Sequence, residues 1–68
     1  MRIEEAIIYA IMQDGHGKTT DRIADLINAN GWHVRKDGQP VSSRQVYAVI
    51  MRYPDIFCKE EGRIRVML

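Results

Sequence analysis

This 68-residue chain has two histidines and one cysteine, His16, His33 and Cys58, the side chains that most often hold zinc or form a Cys/His nucleophilic pair. A structural zinc site takes four ligands, usually in closely spaced pairs, and these three stand far apart in the chain. A Cys/His nucleophilic pair fails for the same reason, and Cys58 lies in the hairpin segment with no helix N-terminus or obvious orienting acid beside it. The run Gly15-His16-Gly17-Lys18-Thr19 imitates the end of a phosphate-binding loop. That loop needs a glycine five residues before Gly17, where Met12 stands, and it follows a strand, whereas the segment before it here has helical periodicity. With no catalytic constellation, the chain is expected to be a binding module rather than an enzyme, with no metal, cofactor or small-molecule substrate.

The charged residues say more. Net charge is only +1, too little for tight non-specific attachment to a polyanion. The distribution is uneven. Residues 1–32 hold three basic side chains (Arg2, Lys18, Arg22) against five acidic ones, and residues 33–68 hold seven against four. Such polarity implies that the C-terminal half faces a negatively charged partner.

The elements that must position these charges follow from periodicity. Ile3, Ala6, Ile7, Ala10 and Ile11 recur at helical spacing over Ile3–Met12, and Asp14-Gly15-His16-Gly17 breaks the helix. After a short polar bridge at Lys18-Thr19, Thr20 is the expected N-cap of a second helix with Asp21 at its positive end. Ile23, Ala24 and Ile27, with Leu26 beside them, form its buried face, and Asn30-Gly31 ends it. Residues Trp32–Val41 lack a helical period, and Asp37-Gly38 marks a turn. Trp32 is expected to fold over the edge of the core.

The third helix has the strongest start signal. Ser42 and Gln45 match a capping box, and Val41 and Val46 occupy the two positions of a hydrophobic staple. Val46, Val49, Ile50 and Tyr53 line its core face, and Pro54 closes it. Over Ile56–Leu68, Ile64, Val66 and Leu68 alternate with Arg63, Arg65 and Met67, a hairpin pattern with its turn at Glu61-Gly62. If Glu61-Gly62 is a two-residue loop, Glu60 pairs with Arg63, Lys59 with Ile64, Cys58 with Arg65 and Phe57 with Val66, whereas a three-residue bulged loop would change this register. Phe57, Ile64 and Val66 then face inward, and Arg63 and Arg65 outward.

A two-stranded hairpin is not stable alone, but three helices and a hairpin can share one core. The expected architecture is therefore an α+β winged helix-turn-helix over residues 1–68, with Ile7, Ile23, Ile27, Val46, Ile50, Phe57, Ile64 and Val66 all buried. The run Gly17-Lys18-Thr19-Thr20, then Ile23-Ala24-Asp25, Gly31 and Pro40-Val41-Ser42 resemble the HARE-type winged helix-turn-helix family. Pro54-Asp55-Ile56-Phe57 and Gly62-Arg63-Ile64-Arg65-Val66 extend the resemblance over nearly the whole chain. That family occurs in restriction endonucleases and additional-sex-combs-like chromatin proteins. The resemblance implies a DNA-binding or DNA-targeting module, often fused to a DNA-modifying domain.

On that reading the third helix enters the major groove of duplex DNA. At about 100° per residue its outer face falls on Arg44, Ala48 and Met51, flanked by Tyr47 and Arg52. Arg44, near the helix N-terminus, has the reach and geometry to grip guanine, and Ala48 allows close approach to the groove floor. Tyr47 and Arg52 would bond phosphates, as would Arg35 and Lys36 in the preceding loop and Arg63 and Arg65 on the wing. Glu60, opposite Arg63, lowers the wing's positive field.

A competing reading comes from the first helix. Ile8 and Met12, with Tyr9 nearby, form a second apolar strip that the core does not need, as a homodimer or a protein partner would require. With a single cysteine and no apolar run near the roughly 20 residues of a membrane span, the expected setting is the cytoplasm, away from membranes.

Overall fold

The computed structural model describes residues 1–13 and 15–67. Asp14 in the expected helix break and Leu68 at the end of the expected alternation lie outside the described residues. The element order is α1 (Ile3–Met12), α2 (Thr20–Asn30), α3 (Ser43–Arg52), β1 (Phe57–Glu60) and β2 (Arg63–Val66). Three helices followed by an antiparallel hairpin make the α+β winged helix-turn-helix layout.

Each helix buries the stripe its sequence carries. Ala6, Ile7, Ala10 and Ile11 of α1 meet Ile23, Ala24 and Ile27 of α2 and Val46, Val49 and Ile50 of α3 in one core. Val41, Phe57 and Ile64 complete it, and no polar or charged residue is buried among the described residues. Trp32 packs against the core edge and meets the Tyr9 ring edge-on at 4.8 Å. Val66 departs from expectation: it is only half-buried, because it ends β2 beside an open concavity near Met12, Gly15 and Gly17. None of these helices is long and apolar enough to cross a membrane.

The cap of α2 also departs from expectation. Thr19, not Thr20, is the N-cap, and its hydroxyl accepts a hydrogen bond from the Arg22 N–H at 3.2 Å. An N-cap needs extended backbone, which Thr19 has (φ −71°, ψ 158°) because its neighbour Lys18 is held in a strand-like bridge. At the other end, Gly31 adopts a left-handed conformation, and the Trp32 N–H reaches back to Ile27 O at 3.1 Å in a Schellman closure. For α3 the Ser42 hydroxyl accepts from the Gln45 N–H at 3.1 Å. The reciprocal half of the expected capping box is not made, and Gln45 Oε1 is buried without a partner.

The hairpin has the expected register, Phe57↔Val66, Cys58↔Arg65, Lys59↔Ile64 and Glu60↔Arg63. Glu61 and Gly62 both have positive φ, 51° and 78°, which suits the right-handed twist of the flanking strands. On the other edge of β2, Lys18 and Ile64 exchange backbone hydrogen bonds of 3.1 and 2.7 Å. The α1–α2 connection is thereby stitched to the wing, and β2 lies between Lys18 and β1. Gly17 is required by close approach: a Cβ there would lie 2.9 Å from Arg65 Cγ and 3.2 Å from Ile64 O.

Candidate nucleic-acid interface

Helix α3 divides cleanly by exposure. Val46, Val49 and Ile50 are buried, while Arg44, Tyr47, Ala48, Met51 and Arg52 are exposed. All five outer-face residues expected from the periodicity therefore lie on one solvent face. The helix contains no acidic residue. Its N-terminal turn presents the positive end of the helix dipole beside Arg44, and Arg52 sits in the last turn, where a cation complements the negative end. Neither Arg44 nor Arg52 has an ion-pair partner among the described residues.

The loop before α3 is pinned to α2 by Asn28, which the sequence did not single out. Its amide donates to Val41 O at 2.8 Å, and its Oδ1 accepts from Val41 N–H at 2.9 Å. Farther back, the Arg35 guanidinium meets Asp37 at 2.7 Å, and Asp37 also accepts the Gln39 N–H at 3.0 Å. The Gln39 N–H, followed by the Arg35 charge and hydrogen bond, holds the Asp37 carboxyl below its ordinary range, while burial acts in the opposite direction. The two expected loop cations thus differ: Arg35 is engaged in the turn, whereas Lys36 is exposed with no ion pair among the described residues. Arg35, Lys36 and Gln45 line a shared concavity of about 450 Å³ where the loop meets α3.

Both wing arginines have polar partners outside α3. Arg63 donates to Gly17 O at 3.4 Å, and Arg65 meets the Glu60 carboxylate at 3.4 Å. Glu60 is opposite Arg63 in the ladder, yet its side chain pairs diagonally with Arg65. Both arginines line a concavity of about 260 Å³ with Gly17, Glu60 and Glu61. Lys59, which the sequence reading passed over, sits with its ammonium 5.9 Å from the centre of the Tyr47 ring. Its pairing with Ile64 was the available signal, because paired residues share a face and Ile64 faces inward towards the helices.

On α1, Tyr9 and Met12 are exposed at 46% and 48%. Ile8 is not the open position expected: it is partly buried and packs against the core, because the α1 stripe is wider than the five residues assigned to it. His33 Nδ1 lies 2.9 Å from Met1 O, and Cys58 is half-buried on β1. No group of three or more His, Cys, Asp or Glu is placed to hold a metal among the described residues. Comparison with models of protein families, with curated proteins and with solved structures finds no match, so the functional reading rests on the residues and geometry above.

Proposed function

We propose that this winged helix binds duplex DNA with α3 in the major groove, as a cytoplasmic binding module of a regulatory or DNA-targeting system rather than an enzyme. The observation that carries this reading is the solvent face of α3: acid-free, with Arg44, Tyr47, Ala48, Met51 and Arg52 all open opposite a fully buried face. Arg44 reads guanine O6 and N7 with its paired N–H groups, and Ala48 admits the groove floor or a thymine methyl. Tyr47, Arg52 and Lys36 hold phosphates and set the register. A HARE-type kinship belongs to the same proposal.

Net charge of +1 makes non-specific binding feeble, with Kd on the order of 10⁻⁴ M or weaker at physiological salt. The test is a chemical-shift titration of the full chain with duplex DNA at low salt. Shifts should cluster on Arg44, Tyr47, Ala48 and Lys36. If millimolar duplex moves none of them, the DNA reading falls.

One observation favours a second reading. Tyr9 and Met12 are about half exposed on the outside of α1, away from the core stripe, as a homodimer or protein partner surface would require.

A further inference from the structure

We infer that Lys59, and neither Arg63 nor Arg65, is the wing's contact to the DNA backbone beside α3, a deepening that rests on the DNA reading proposed above. The hairpin separates its cations by face. Lys59 pairs with Ile64, and Ile64 also bridges Lys18, so these three form one row across the sheet. Paired residues project on the same side, and Ile64 in the middle of the row is buried towards the helices. Lys59 is the end of that row on β1, and its ammonium reaches the exposed Tyr47 ring of α3 at 5.9 Å.

Successive side chains in a strand alternate faces, so Arg63 and Arg65 project on the side opposite Ile64. There they serve the stitch between the wing and the α1–α2 connection. Arg63 reaches Gly17 O across the sheet edge away from β1. Arg65 lays its stem over Gly17 and meets the Glu60 carboxylate. Arg65 is thus charge-compensated, whereas Lys59 has no acidic partner among the described residues.

Tyr47 and Lys59 together supply what a phosphate beside the recognition helix needs, a hydroxyl donor and an ammonium. A cation resting against a ring face is held in place without losing its charge. With Met51 and Phe57 the pair also borders a cleft of about 150 Å³ between α3 and β1. The pair therefore stands at the rim of that cleft, where α3 and β1 meet.

The test uses the full chain, duplex DNA and binding measured by fluorescence anisotropy between 50 and 200 mM salt. Lys59→Gln should weaken all duplexes alike and flatten the salt dependence by about one unit, so that the wild type loses roughly 3- to 4-fold more affinity over that range than the variant. Lys59→Arg should restore the slope, and Arg63→Gln and Arg65→Gln should leave it unchanged. A wild-type slope in Lys59→Gln, or a slope lowered equally by either arginine variant, overturns the inference while the DNA reading stands. Absence of any salt-dependent binding by the wild type overturns both. Amide spectra of the free variants separate a lost contact from a lost fold.

Discussion

Asn28 and Val41 are joined as if they were paired strand residues. The Asn28 amide donates to Val41 O at 2.8 Å, and its Oδ1 accepts from Val41 N–H at 2.9 Å. The pair links the last turn of α2 to the residue before the α3 cap, so it sets how α3 leaves the loop and where its outer face points. Val41 is 4% exposed, and its peptide groups have little access to water as an alternative.

Asn28→Ala leaves a donor and an acceptor of Val41 without their partners. It should cost about 1–3 kcal/mol in urea denaturation. Asn28→Asp keeps the acceptor and loses the donor, so it should fall between wild type and Ala. Equal stability of wild type and Asn28→Ala would show that the loop is held by its apolar contacts alone.

The two threonines before α2 should respond differently. Thr19→Ala removes the hydroxyl that caps Arg22 N–H and should cost about 0.5–2 kcal/mol. Thr20→Ala substitutes a better helix former at a helical position and should cost little or nothing. Thermal melting of the two variants distinguishes them, and a larger loss at Thr20 would return the cap to that residue.

Arg44 and Lys36 should separate base reading from phosphate holding. Arg44→Ala should cost about 1–3 kcal/mol on the preferred duplex and relax selectivity at one base pair. Lys36→Ala should weaken every duplex alike and flatten the salt dependence by about one unit. Anisotropy against a small panel of duplexes is the measurement. An Arg44→Ala loss that is uniform across the panel would assign that arginine to the backbone.

The outer strip of α1 no longer behaves as one unit. Ile8→Glu places a charge on a partly buried position packed on the core and should lower the melting temperature. Met12→Glu, at a residue 48% exposed, should leave the melting temperature nearly unchanged. If α1 carries a homodimer, Met12→Glu should also convert it to monomer in sedimentation. A wild type that is monomeric at high concentration removes the homodimer.

Asp37 titrates below its ordinary value of 3.8, chiefly through the Gln39 N–H and secondarily through Arg35. A depressed folded-state pKa means that its stabilising effect is present above the unfolded value and fades as pH falls through the folded one. Arg35→Gln should therefore recover only part of the shift in a carboxyl ¹³C titration. Full return to the ordinary value would make Arg35 the main cause.

Local chemistry made much of the fold legible. The α1, α2 and α3 stripes follow from helical spacing, whereas the hairpin pairing hangs on loop length, and the structure selects the two-residue Glu61-Gly62 loop over a three-residue bulged one that would change the register. The outer face of α3 was equally legible, since burying Val46, Val49 and Ile50 turns Arg44, Tyr47 and Ala48 outward by geometry alone. The capping position at Thr19 was one residue off because two adjacent threonines are equivalent in sequence. The Lys18–Ile64 bridge, a contact 46 residues apart, selects between them.

By itself, then, the sequence determined the elements, their order and which side of α3 meets solvent, and it narrowed the hairpin register to a choice set by the length of its loop. All of these depend on backbone sterics and apolar periodicity within a few residues. The tertiary structure alone decided that Asn28 holds Val41, that Arg35 is tied to Asp37 in the turn, that Ile8 leans on the core, and that Lys59 rather than either wing arginine stands beside Tyr47. These are questions of which side chain reaches which neighbour. Their answers depend on how separate elements pack and how far each polar group can find a partner there, and neither is written in the spacing of residues along one helix or strand.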